Sequence, residues 1–271
     1  MKLGVLMTVG VLMVTTAIGQ SATPTTDSAS TRAARYTERG TELQRTNRYG
    51  QAVEWFHKAV LLLPKDAKAH FNYGWALDNE YTTRKNNSDG TISFSMSADP
   101  IVLGGLLPSR NKQQALSEYE EAVKLAPAVP MYRDQLGLAL WSAHRYDDAI
   151  LQYKAELSLL STQQQLARRQ AFSSLGGIYF EVRKYDLAVE YYSQCVKVSA
   201  PGQGTYSESA DHFELANALM KAGRPADAYA EWRKTIEIDP EGNYASEAKQ
   251  NLKDAGVSSD EAPANSTSVT K

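Results

Sequence analysis

Residues 33–66 read AARYTERGTELQRTNRYGQAVEWFHKAVLLLPKD, and their spacing decides the architecture. Tyr36, Gly40 and Leu43 stand four and three residues apart, which puts them on one side of an α-helix. Ala52, Phe56 and Ala59 repeat the same steps on a second helix. Between them Thr46-Asn47-Arg48-Tyr49 is a short polar turn, with Asn47 suited to the left-handed position that ends a helix. Pro64 cannot continue a helix interior and turns Leu63 away from helical angles. Gly40, Ala52 and Ala59 are small where two axes must approach, and Tyr36, Leu43, Tyr49 and Phe56 fill the space around that contact. One such hairpin cannot bury its apolar faces alone, so the pattern requires neighbours.

Four more copies follow. A unit over 67–129 shows His70, Tyr73, Gly74 and Leu77, and its second helix is delayed to Ala115, Tyr119, Ala122 and Pro127 by an insertion at 80–111. A unit over 130–163 carries Leu136, Gly137 and Leu140, then Tyr146, Ala149 and Tyr153. There Glu156 replaces the third small residue and Ser161 the proline, so the spacing predicts a longer second helix, running on through 163–165. Units over 169–202 (Phe172, Leu175, Gly176, Tyr179, Tyr185, Ala188, Tyr192, Cys195) and 209–242 (His212, Leu215, Ala216, Leu219, Ala228, Trp232, Pro240) complete the set. Residues 244–255, with Ala245, Ala248 and Leu252 on one face and Gly256 as a stop, read as a solvent-facing cap. From Ala33 to Pro240 the chain resembles the tetratricopeptide repeat, whose period is about thirty-four residues. The resemblance implies an all-α fold, a right-handed superhelical α-solenoid of about five helix-turn-helix repeats plus a C-terminal capping helix, over residues 33–256.

Outside the repeats the composition changes. Lys2, the apolar run Leu3 to Ile18 and the small-residue site Ala17-Ile18-Gly19 read as an export signal over 1–19, hence a periplasmic or secreted protein. An uncleaved anchor is the alternative, although the run is short of a span and diluted by Thr8, Gly10, Thr15 and Thr16. Residues 20–32 read as a disordered Ser/Thr/Ala linker and 257–271 as a polar disordered tail. Within the insertion, residues 91–97 alternate apolar and polar as a strand does, and 100–108 are apolar with Gly and Pro. That apolar piece either covers the adjacent hairpin or offers a membrane or subunit contact. With 29 basic against 31 acidic residues and no basic block, nothing argues for nucleic acid.

Candidates for chemistry are weak. His57, His70, His144 and His212 fall in separate units without metal-ligand spacing, so no metal site is read from them. Cys195 is alone on a packing stripe and reads as buried and inert. Glu120-Glu121 and Asp147-Asp148 splay about their helices as solvated surface. No catalytic or phosphate-cradling motif is present, so neither an enzyme nor a cofactor is expected.

The resemblance points instead to a concave groove lined by the first helix of each unit, one position beyond the packing stripe. Carried onto this chain, that stripe is polar in the first unit (Thr37, Thr41, Gln44, Arg45) and rich in large apolar residues afterwards. Phe71, Trp75, Met131, Leu138, Trp141, Phe180, Phe213 and Met220 form the expected peptide-binding groove, since aromatic and Met side chains are favoured anchors. Superhelix closure or the insertion covering these residues is the opposing reading. The two-carboxylate clamp of the chaperone-binding members is not expected, because of Thr37, Thr41, Asn72, Met131 and Gln135 only Asn72 agrees with it. The sequence thus points to an exported scaffold for a protein or peptide partner, with docking of an envelope or membrane-associated subunit through 80–111 as the alternative.

Overall fold

A computed structural model describes residues 27–80, 85–86, 92–93, 107–198 and 205–258. The expected export signal, the apolar 100–106 piece and the tail from 259 lie outside these residues. The described chain forms eleven helices: α1 (Ala29–Arg45), α2 (Tyr49–Leu62), α3 (Ala67–Glu80), α4 (Leu107–Leu125), α5 (Pro130–Ser142), α6 (Tyr146–Leu159), α7 (Gln165–Glu181), α8 (Tyr185–Val198), α9 (Thr205–Lys221), α10 (Pro225–Ile238) and α11 (Asn243–Asp254). Between α3 and α4, β1 (Lys85–Asn86) pairs antiparallel with β2 (Ile92–Ser93). Each helix packs on the next in sequence, and α1 and α9 also reach the second helix along, α3 and α11. This is an all-α solenoid.

The small residues of the repeat sit at the helix crossings. Ala52, Ala59, Ala122, Ala149, Ala188 and Ala228 are fully enclosed, and Phe56, Tyr119, Tyr153 and Tyr192 pack beside them. A Cβ on Gly40 would stand 2.7 Å from the Phe56 ring, and one on Gly176 2.8 Å from Tyr192. Turns within units one, three, four and five share one geometry. Asn47, His144, Arg183 and Gly223 take positive φ (56°, 58°, 60°, 76°), and the next amide bonds back to the last buried residue of the first helix: Arg48 to Leu43, Arg145 to Leu140, Lys184 to Tyr179, Arg224 to Leu219. This closure satisfies carbonyls that the helix end would otherwise leave bare.

Three boundaries differ from the sequence reading. Helix α1 begins at Ala29, inside the stretch read as linker, because the Ser28 side chain accepts from the Thr31 amide at 3.1 Å and caps the helix. Helix α4 begins at Leu107, so the insertion is shorter than 80–111 at its C-terminal end. Helix α6 stops at Leu159 and is no longer than its counterparts α2, α8 and α10. Its end does not need the proline: Leu160 turns extended (ψ 127°) and is buried, while Gln164 Oε1 accepts from the Ser161 amide at 2.9 Å.

Candidate functional site

The first helices of the first three units lie side by side, and a depression of about 400 Å³ opens between them. Helix α1 contributes Thr41, Gln44 and Arg45, α3 contributes Phe71, Asn72 and Trp75, and α5 contributes Met131 and Gln135. On each helix these residues are one turn apart, which brings them to one face. Phe71 is the floor: it is only 9% exposed, stacks on Tyr132 at 4.7 Å between centroids and tilts against Tyr119 at 5.9 Å. Trp75 is half-buried, edge-on to Tyr49 at 5.6 Å. Met131 is open at 54%. Gln135 Nε2 donates to Asp134 Oδ2 at 2.8 Å.

The rest of the expected stripe does not continue as one open trough. Leu138 is exposed. Trp141 is half-buried and bridges two units: its ring edge would meet a Cβ on Gly177 at 2.7 Å, and its Nε1 donates to Glu181. Phe180 is half-buried, edge-on to Tyr185 at 5.5 Å, and Met220 packs on the core. Phe213 is 5% exposed, with Tyr244 of the capping helix 5.3 Å from its ring. A residue closed off in this way cannot anchor a ligand, which corrects the expectation for Phe213. For Phe71 the role narrows to the base of the depression. The polar liners Thr41, Gln44 and Arg45 lie on the stripe that sequence reasoning projected but were set aside as polar. Gln135 was weighed only against the chaperone clamp.

A second cleft, of about 350 Å³, lies between the α3–α4 pair and the end of α5, and its lining includes Asp78, Lys112, Leu116, Ala139 and Arg145. Asp78 of this lining is one of three acids, with Asp134 and Glu156, that packing draws partly or wholly out of solvent. Glu156 is 4% exposed, its Oε2 has no hydrogen-bond partner, and burial, together with the charge of Asp134, pushes its carboxyl up to about 8. Asp134 and Asp78 are also raised by burial. The Tyr119 hydroxyl, likewise unpartnered and buried, is pushed up by the same desolvation and then by both aspartates. Sequence reading noted Glu156 only as a departure from the repeat.

The other reactive side chains are held in structural contacts. His70 lies between Glu118 Oε2 (2.6 Å from Nδ1) and the Pro64 carbonyl (3.1 Å from Nε2), and His212 meets Glu231 at 2.6 Å. Cys195 is buried, burial drives its thiol pKa far up, and Sγ donates to the Arg169 carbonyl at 3.4 Å. Among the described residues no cluster of His, Cys, Asp and Glu is placed to hold a metal ion, and no helix is long and apolar enough to cross a membrane.

This geometry defines a helical-repeat scaffold with a depression open between its first helices. Two tetratricopeptide-repeat family models match the chain, over residues 106–163 and 170–200. Among solved structures, MamA (residues 41 to end) from Desulfovibrio magneticus RS-1 superimposes with a TM-score of 0.58 at 16% identity, covering 78% of this chain and 97% of its own. YrrB, described as a TPR protein with an unusual peptide-binding site, gives 0.56 at 16% identity over 80% and 92%. PilF of Pseudomonas aeruginosa gives 0.52 at 15% over 84% and 94%. A curated relative, the uncharacterised protein ycf37 of Guillardia theta, is 23% identical over 122 residues, 45% of this chain and 68% of its own length. Over residues 106–163 and 170–200 the chain matches the tetratricopeptide-repeat family, and its fold is that of tetratricopeptide-repeat proteins. Its fold is that of a protein–protein interaction scaffold, and such scaffolds are in general not enzymes.

Proposed function

We propose that the protein binds a segment of a partner protein in the depression formed by α1, α3 and α5, and that it does so outside the cytoplasm without itself being an enzyme. The observation that carries the reading is the joint lining of that depression. Three apolar side chains from two helices converge on one spot, ringed by hydroxyl and amide groups that can pair with a peptide backbone. The description of YrrB as peptide-binding supports the use of this kind of surface in a protein of similar fold. Export rests on the sequence of residues 1–19 alone.

Met131→Ser tests the groove at small structural cost, because the side chain it shortens is mostly in solvent. With Trp75→Ala it is expected to weaken peptide capture more than tenfold while the helical circular dichroism signal stays near wild type. Unchanged capture in both variants would end the groove reading. For export, the full chain produced with its own N-terminus is expected to appear in the envelope or medium fraction beginning at Gln20. An intact N-terminus retained in the cytosol would end that part.

A further inference from the structure

We infer that the groove selects an extended segment in which an acidic side chain stands close to a large apolar one. This rests on the peptide-binding reading above and adds the chemical class of the partner.

Size speaks first. At about 400 Å³ the depression has room for one large side chain, near the small end of ligand sites. A helix about 10–12 Å across would need a row of anchors at i, i+3, i+4 and i+7. Beyond this depression the row is broken, since Trp141 is laid against α7 and Phe213 is closed off. An extended chain presents alternate side chains instead, so one can enter while its backbone faces the Asn72 and Gln44 amides.

Charge decides the neighbour. Of the eight lining residues only Arg45 is charged, and none is a carboxylate. Arg45 is exposed, and among the described residues it makes no ion pair. Asp134, next to Gln135 in sequence, is half-buried, accepts from the Gln135 amide and is not among the residues that line the depression. A cation at the rim of an apolar site favours a carboxylate beside the anchoring side chain and disfavours a Lys or Arg there. The neighbouring depression under α1 carries both signs, Glu38 and Asp66 with Lys68, and adds no such preference. We place the acid in a side chain within the segment, and a chain terminus is the competing source that the experiment separates.

The test uses the purified full chain and a randomised library of decapeptides, acetylated and amidated so that their ends are uncharged. Wild type is expected to enrich sequences with Asp or Glu within two residues of a large apolar residue. Changing that acid to its amide should weaken binding roughly three- to fivefold at low salt, the range of a rim ion pair, and less at high salt. Arg45→Gln is expected to remove this preference while keeping the apolar one, and Arg45→Lys to keep both. Apolar enrichment with no acidic bias, or a bias that survives Arg45→Gln, would overturn the inference and leave the groove reading standing. Binding that appears only with free C-terminal carboxylates would overturn it too. No enrichment at all, or enrichment indifferent to both Met131→Ser and Trp75→Ala, would take down the groove reading itself.

Discussion

At the scale of single residues, Glu156 is the position where the chain is least at ease. The repeat places a small side chain there, and this one carries a carboxyl that is nearly closed off, with one oxygen unpartnered. Its pKa rises from 4.5 to about 8, so ionisation is disfavoured in the folded state and not in the unfolded one. A group with a raised folded pKa lends full stability below the unfolded value, and that stability drains away as pH climbs through the folded value. The wild-type protein is therefore expected to lose stability between about pH 4.5 and 8. Glu156→Gln should flatten that slope and be more stable at pH 8 by about 1–3 kcal/mol, the cost of an ill-satisfied buried polar group. Urea unfolding at a series of pH values reads both, and parallel pH profiles for the two proteins would contradict the account.

At the scale of elements, the joint between α5 and α7 depends on one tryptophan lying where α7 has no side chain. A Cβ on Gly177 would stand 2.7 Å from Cη2 of Trp141 and 3.2 Å from Cζ2, too close for both to stay. Gly177→Ala is expected to cost about 1–3 kcal/mol in the wild type, as overpacking lesions do. With Trp141→Ala already in place the obstacle is gone, and only the helix preference of Ala over Gly remains. The same Gly177→Ala change should then stabilise by roughly 0.5–1 kcal/mol. A thermodynamic cycle on the four proteins checks this reversal of sign, and additive effects would show that Trp141 does not lie across α7.

At the scale of the whole molecule, a repeat array is stable only while its ends are covered. Helix α11 supplies that cover at the C-terminal end: Ala245, Ala248 and Leu252 face inward, and Tyr244 lies 5.3 Å from Phe213 of α9. A chain ending at Gly242 would leave Phe213 and the α10 face open. It is expected to unfold at lower urea by several kcal/mol, on the order of a lost large aromatic contact, and to scatter light on concentration. Far-ultraviolet circular dichroism through the urea series and static light scattering report the two effects. Wild-type stability in the shortened chain would mean the last repeat closes itself.

The repeat was legible before any coordinates, because helix period and small-residue spacing are local facts. Four-and-three steps through Tyr36, Gly40 and Leu43 and through Ala52, Phe56 and Ala59 fix which faces meet, and Asn47 and Gly223 mark where the chain turns. The Ser28 cap escaped notice because Ser and Thr serve caps and linkers alike, and the end of α6 escaped because a buried Leu160 stops a helix without a proline. For the groove, sequence could name the stripe but not its exposure. Whether Phe71 floors a depression, Trp141 spans two units or Phe213 disappears under α11 depends on the angle between successive hairpins. That angle comes from side chains far apart in sequence packing together, as Trp141 on Gly177 and Tyr244 on Phe213 do. No periodicity within one helix encodes it, so the helices and their order belong to the sequence, and which faces stay open belongs to the tertiary packing.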